Sequence, residues 1–308
     1  MPLIQAVALN RFFGTTHAVR DVSFNVEEGE IYGLVGSDGA GKTTTLRLVI
    51  GALRASSGHA LVCGQDAARE PDAVRSNVGY LSQRFSLYED LTVLENIRFF
   101  AEVRGMSISE WKPRCMELLE FVGLSPFAAR RAGALSGGMK QKLGLASALV
   151  THPKVLLLDE PTTGVDPVTR QDFWQLILRV VHSEKMAVML TTPYMDEASR
   201  CHRLGFMRSG SIIAEGTPSA LRATLAGRIV EIPTAEPLKL QPALAKIQGV
   251  EDARPFGDRL HLRIAGGQAQ AVMNAIAKAD AGFAPHLIPP TLEDVFLALT
   301  TGQKAAQP

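Results

Sequence analysis

Short apolar runs alternate along this chain with stretches whose apolar residues recur at helical spacing. ALNRFF (8–13) and VRDVSFNV (19–26) read as short strands split by the turn FGTTH, and EEGE turns the chain into the apolar strand IYGLVG. That strand runs directly into GSDGAGKTT and then into TLRLVIGAL, a strand, glycine-rich loop and helix in succession. From about 84 to 152 the pattern is mostly helical, in TVLENIRFFAEVRG, SEWKPRCMELLEFVG and MKQKLGLASALV. From 153 strand and helix alternate again: KVLLLDE, TRQDFWQLILRVVHSE, MAVMLTT, MDEASR, then the hairpin-like LGFMRSGSIIAEG. Alternation of this kind predicts an α/β fold with a parallel-sheet core covered by helices. The opening strands add an antiparallel sheet, and the middle stretch a helical insertion. Beyond about 226 the order strand, helix, strand, helix (GRIVEIP, TAEPLKLQPALAKI, RLHLRIAGG, AQAVMNAIAKAD) predicts a small α+β domain.

Composition narrows the function. A chain of 308 residues, 46% hydrophobic, exceeds one ordinary core, and two domains are expected, 1–226 and 227–308. Lysine plus arginine number 32 against 31 acidic residues, so no broad basic field exists to hold nucleic acid. Cys63, Cys115 and Cys201 have no metal-like spacing and read as buried thiols of a reduced compartment. MPLIQAVALNRFF lacks a basic segment followed by a long apolar run, so it does not read as a signal peptide. Nowhere do roughly 20 uninterrupted apolar residues suggest a bilayer span. A cytoplasmic chain is expected, reaching any membrane through a partner.

The glycine-rich loop anchors the chemistry. GSDGAGKT satisfies G-x-x-x-x-G-K-[ST] between a strand and a helix. There Gly36, Ser37, Asp38, Gly39, Ala40, Gly41 and Thr44 would curl backbone N–H groups around phosphates, and the helix N-terminus favours an anion. Lys42 would neutralise the β- and γ-phosphates of ATP, while the Thr43 hydroxyl would ligate Mg²⁺. VLLLDE supplies the second half of such a site: a buried strand ending in Asp159, which could hold the magnesium shell, and Glu160, which could orient or deprotonate an attacking water. LSGGMKQ (135–141) places Ser136, Gly137 and Gly138 ahead of a helix, a second anion-binding end. Since one phosphate loop already serves one ATP, a second phosphate reader points to a nucleotide held by another chain.

With these motifs in this order, residues 3 to 226 resemble the ABC ATPase family, which implies a P-loop NTPase fold of ABC type and head-to-tail pairing of two such domains. The resemblance assigns adenine stacking to Phe13, with Phe12 the alternative in register, and Val19 as padding of the same ring. It gives Gln83 a reach to the metal and the attacking water, and brings Asp166 of GVDP to the dimer interface. Asp38 stands where the family usually has asparagine, and like-charge repulsion should turn its carboxylate away from the phosphates. Pro193 of TTPYMDEA stands where the family typically has a histidine that contacts the γ-phosphate, and proline has no donor on side chain or backbone. The implied ATP site is therefore degenerate for turnover.

RFSLYEDLTVLENI, LSGGMKQKLGLA, YMDEA and PPTLEDVFLALT resemble the ATPase subunits of ABC-2 type exporters, and more narrowly the first of two ATPase modules fused in some bacterial multidrug exporters. The resemblance implies ABC-2 membrane permease subunits and a second ATPase subunit as partners. A heterodimer is favoured over a homodimer, because a histidine-bearing paralogue would keep one competent site. Phe85, Leu87 and Tyr88, beside Gln83, would form the surface that meets the permease on the inner face of the membrane. The rival reading, a soluble ABC ATPase not coupled to transport, lacks the coiled-coil or metal-binding insertions such proteins often carry.

Overall fold

The computed structural model describes residues 1–83, 87–279 and 283–301. The chain divides into two compact units, Met1–Glu215 and a second from Gly216 onward.

The first unit opens with β1 (Ile4–Phe13) and β2 (Thr16–Val26), paired antiparallel from Ile4↔Val26 to Phe13↔Thr16. β3 (Ile31–Val35) leads into helix α1 (Lys42–Val49). β4 (Ser57–Val62) and β5 (Gln65–Asp66) then complete a four-stranded sheet in the order β2-β1-β4-β5. The sequence pattern did not announce these two strands, since SGHALV carries few apolar positions and a glycine. Helix α2 (Pro71–Ser76) and β6 (Val78–Leu81) follow, also without a strong periodic signal.

Helices α3 (Val93–Val103), α4 (Ile108–Phe121) and α5 (Gly137–Leu149) occupy the stretch expected to be helical. Their starts are written locally. Thr92 accepts from Glu95 N while Glu95 accepts from Thr92 N, a capping box, and Ser107 with Glu110 forms another. β7 (Val155–Asp159), α6 (Pro167–Glu184), β8 (Ala187–Thr192), the single turn α7 (Met195–Ala198), β9 (Arg203–Arg208) and β10 (Ser211–Gly216) complete the unit. Ser209 and Gly210, both at positive φ, join β9 to β10 in the conformation a two-residue hairpin turn requires.

The central sheet has the order β10-β9-β3-β8-β7-β6, with parallel pairing from β9 through β6. Its inner strands are buried on both faces, which is why VLLL and AVML read as continuous apolar runs rather than alternating ones. Leu156, Leu158, Val188 and Leu190 pack with Ile97, Leu119 and Leu145 of the helical stretch and with Trp174 of α6. Val155, Leu157, Ala187 and Met189 pack on the other side with Leu46 of α1 and with Ile4, Val22 and Val62 of the antiparallel sheet.

The second unit contains α8 (Pro218–Ala223), β11 (Ile229–Pro233), α9 (Pro237–Leu244), β12 (Val250–Phe256), β13 (Arg259–Ile264), α10 (Ala269–Ala279), β14 (His286–Leu287) and α11 (Leu292–Thr301). An antiparallel sheet β12-β13-β11-β14 turns Val230, Ile232, Leu260 and Leu262 toward Leu244, Val272 and Ile276. The polar run VEDARPF hid β12 from the sequence, because Ala253 alone among its residues is buried. Among the described residues no helix is long and apolar enough to cross a membrane.

Candidate nucleotide site

The site collects at one edge of the parallel sheet because β3, β7 and β8 end there in register. Val35 pairs with Thr192, and Asp159 with Thr191, so the loop after β3 and the acidic end of β7 flank the end of β8. Ligands of open parallel sheets bind at this carboxyl edge.

Two glycines of the loop are there for want of space. A Cβ on Gly36 would stand 2.3 Å from the Met207 carbonyl oxygen, and one on Gly41 2.6 Å from that of Ala18. Gly41 also adopts φ 109° as the cap of α1, a conformation that L side chains rarely take. The loop thus bends tightly against β9 and β2 before releasing Lys42 at the helix start.

Lys42 is buried and its ammonium is fully engaged. It donates to the carbonyls of Gly36 (2.9 Å) and Ser37 (3.1 Å) and lies 3.0 Å from Glu160 Oε1. Asp38 stands almost wholly in solvent, its nearest oxygen 4.0 Å from the same ammonium. Gln83 Nε2 donates to Glu160 Oε2 at 2.9 Å. The Thr43 hydroxyl donates to Asp159 Oδ1 at 2.9 Å, and Thr191 Oγ1 donates to the same oxygen at 2.8 Å. A cavity of about 270 Å³ is lined by Ala18, the loop residues Asp38 to Thr44, Gln83 and Glu160.

Glu160 carries backbone strain. Its φ of +48° is in the left-handed region, which costs a residue with a Cβ about 1–2 kcal/mol. Its N–H is tied to both the carbonyl (3.1 Å) and the hydroxyl (3.0 Å) of Thr191, which hold the turn in place.

Other sequence-predicted residues lie elsewhere. Val19 is fully buried in the apolar core, and its neighbour Ala18 lines the cavity instead. Alternation along β2 turns successive side chains to opposite faces, which the sequence could not orient. Phe12 and Phe13 are both near half exposed; Phe12 stacks on His17 at 3.9 Å and Phe13 lies under the Arg11 guanidinium at 4.6 Å. Neither lines the cavity. Ser136 caps α5, accepting from Met139 N at 3.3 Å. Gly137 faces open space, whereas a Cβ on Gly138 would stand 2.2 Å from Thr169 Cγ2, so Gly138 also permits α5 to approach α6. None of the three lines the cavity of the phosphate loop. Asp166 caps α6, accepting from Val168 and Thr169 N–H groups, and hydrogen bonding from the Thr169 side chain first, then from its N–H, holds its carboxyl below the usual range. Pro193 follows β8 directly and is half-buried.

Sequence reasoning missed several supporting groups. Tyr80 OH lies 3.4 Å from Asp159 Oδ2, and burial followed by that carboxylate pushes its phenol up. Thr191 bridges Asp159 and Glu160. Glu197 accepts from two threonine hydroxyls. Their signal is weak because polar side chains at strand ends and in turns are common.

The ABC transporter family matches residues 19–163. Over 291 residues the chain is 40% identical to the probable multidrug ABC transporter ATP-binding protein YbhF of Escherichia coli (strain K12), covering 92% of this chain and 49% of that protein. The chain thus spans about half the length of that relative. It is 40% identical over 294 residues to the Nod factor export ATP-binding protein I of Paraburkholderia xenovorans (strain LB400), covering 95% of each. Among solved structures, an ATP binding subunit of an ABC transporter is similar with TM-score 0.65 and 28% identity, over 73% of this chain and 93% of that one. The dimeric post-hydrolysis state of the ATP-binding cassette MJ0796 bound to ADP and Pi is similar with TM-score 0.63 and 25% identity, over 70% and 98%.

Proposed function

This chain belongs to the ABC transporter ATP-binding family, whose members are ATPases, and from that premise we propose that it is the ATP-hydrolysing subunit of an ABC-2 type exporter of multidrug or related cargo. The observation that carries this reading is the likeness to a Nod factor export ATP-binding protein over 95% of both chains.

In this reading the cavity above the loop takes the phosphates of ATP. Lys42 exchanges Glu160 and the loop carbonyls for the β- and γ-phosphates, so nucleotide entry frees Glu160 to orient or deprotonate water. Gln83, bonded to Glu160, helps place that water. The donors Thr43 Oγ1 and Asp159 Oδ1, 2.9 Å apart, with the Gln83 amide nearby in the lining, suit a hard oxygen-seeking cation. Magnesium bound there would draw charge from the phosphates. Phe13, or Phe12 in its place, stacks on adenine from its exposed position.

Pro193 can supply no hydrogen bond to the γ-phosphate, and turnover in this chain's own site is correspondingly weak. Ser136, Gly137 and Gly138 sit outside that cavity and serve a nucleotide on a second ATPase chain, with a histidine-bearing paralogue as the favoured partner. The permease meets the surface around Leu87 and Tyr88. Tyr88 is near half exposed and packs edge-on against Phe99 at 4.5 Å, an aromatic patch suited to a cytoplasmic helix. Phe85, expected in the same patch, lies outside the described residues. The chain would then reside on the inner face of the cell membrane.

Purification of the chain from native membranes, followed by identification of every bound protein, tests this reading. A polytopic permease and a second ATPase are expected. Recovery with neither would overturn it in favour of a soluble ATPase.

A further inference from the structure

Glu197 is 1% exposed, and the chemistry above makes no use of it. It stands on α7, four residues beyond Pro193, and each of its oxygens has a separate partner. Oε1 accepts the Thr162 hydroxyl, and Oε2 accepts the Thr192 hydroxyl at 2.6 Å. Thr162 lies two residues past Glu160, whereas Thr192 lies between Thr191 and Pro193. One carboxylate therefore joins the loop that leaves the strained Glu160 to the end of the strand beside it.

The two sides of Glu160 are thus pinned by different groups. Thr191 holds its N–H, while the outgoing chain is held at Thr162 by Glu197. A left-handed residue other than glycine persists only where its surroundings over-determine it. Thr192 also accepts from Tyr194 N at 3.0 Å, so the same network fixes the turn containing Pro193. The charged group at hand is Arg170, whose Nε lies 3.8 Å from Glu197 Oε1 and has no hydrogen-bond partner. Its Nη1 reaches Asp196 at 3.5 Å, and the guanidinium lies over the Tyr194 ring at 4.8 Å. A carboxylate so buried, with a single ion pair at 3.8 Å that makes no hydrogen bond, is expensive to keep, and its return here is geometric. Two donated hydroxyl protons require an acceptor on each arm, which an ionised carboxylate offers and an amide does not.

We propose that Glu197 is a positioning residue for ATP hydrolysis, holding Glu160 in its left-handed turn through Thr162 and securing the Pro193 turn through Thr192. The inference rests on the reading that Glu160 acts on the attacking water.

The test uses the full chain carrying Pro193→His, and in parallel the unaltered chain, with enzyme in excess over radiolabelled ATP in single-turnover hydrolysis. Equilibrium binding of a fluorescent ATP analogue and thermal unfolding are measured on the same samples. Glu197→Gln and Thr162→Val should each slow hydrolysis about 10- to 100-fold against their own background, the scale of a misplaced catalytic group. Nucleotide affinity should stay within about threefold, because the phosphate loop is untouched. Thr162→Ser, which keeps the hydroxyl, should restore the rate. A packing role would reverse that order, since valine preserves the shape of threonine and serine leaves a gap. The double variant Thr162→Val/Glu197→Gln should be no slower than the slower single variant, as expected of one shared contact. If Glu197→Gln does not fold, the serine and valine variants of Thr162 carry the test by themselves. The proposal is overturned if Thr162→Val hydrolyses as fast as its background, or if rate and affinity fall together. Glu160→Gln is the reference: if it hydrolyses normally, the role given to Glu160 fails and this proposal with it. If it is silent while Glu197→Gln is not, Glu197 alone has been misread.

Discussion

Pro193 follows the end of β8 directly, beside Thr191 and Thr192, whose hydroxyls bond Asp159 and Glu197. Proline has no donor on side chain or backbone to offer a phosphate. Replacing it by histidine should raise ATP turnover, toward the roughly 10²-fold that one preorganised donor contributes in other enzymes. Phosphate release by Pro193→His no faster than by the parent, with the native partner present, would mean another group fills that role. At this scale the sequence was legible wherever chemistry is written in a contiguous motif. Gly36 to Thr44 and Asp159–Glu160 are such runs; Asp38 to Thr44 and Glu160 line one cavity, and Asp159 accepts from Thr43. Glu197, Thr162 and Tyr80 were not legible, since each acts on a residue distant along the chain or across a turn. That Val19 is buried while Ala18 lines the cavity was hidden for a related reason: a strand's alternation is visible in sequence, but which face meets the core is not.

Sheet faces show how an element can contain a switch that its sequence hides. On β11, Val230 and Ile232 enter the core of the second unit, and Glu231 between them points the other way. Its oxygens meet Arg259 Nη1 at 2.9 Å and His261 Nε2 at 3.0 Å from β13, and His286 Nε2 at 3.4 Å from β14. Burial works to raise its pKa, but hydrogen bonds from His261 and Arg259 outweigh it and hold the carboxyl below its ordinary value of 4.5. A folded-state pKa below the unfolded one gives stability that is complete above the unfolded value and is lost as pH falls through the folded one. The parent should therefore melt above Glu231→Gln at neutral pH, with the gap closing under acid below about 4.5. Thermal unfolding of both chains between pH 7 and pH 3 measures it. A gap that stays constant would assign Glu231 a role independent of its charge.

At the scale of the whole molecule, the two proposed phosphate-reading features of the chain are separate. Lys42 and Thr43 line one cavity, and the capped start of α5 at Ser136 lies outside it. If the second feature serves a partner's nucleotide, the assembled complex should respond unequally to damage. Gly137→Asp sets a carboxylate where the structure has open space and where the partner's phosphate is expected, and it should abolish most turnover. Glu160→Gln, confined to the site that Pro193 is proposed to weaken, should cost much less. Steady-state ATP hydrolysis by the reconstituted complex decides between them. Equal silencing by the two variants would show that both sites turn over alike.

Sequence alone pointed to an ATP-binding domain and most of the first unit, because a phosphate loop, a buried strand ending in two carboxylates and periodic helices are local patterns. The continuous apolar runs of β7 and β8 required a sheet buried on both faces, whatever its strand order. Tertiary structure decided what depends on neighbours distant in the chain. It placed β4 beside β1 through the pairs from Ile4↔Val62 to Asn10↔Ser57, although β4 has little apolar signal of its own. It gave Gly138 its second reason, the approach of Thr169, and turned Val19 inward and Ala18 outward. It also joined Glu197 to threonines from two separate segments. Local periodicity reports how a segment buries its own apolar surface, while a hydrogen bond between distant polar groups leaves no periodic trace and exists only once the sheet has brought them together.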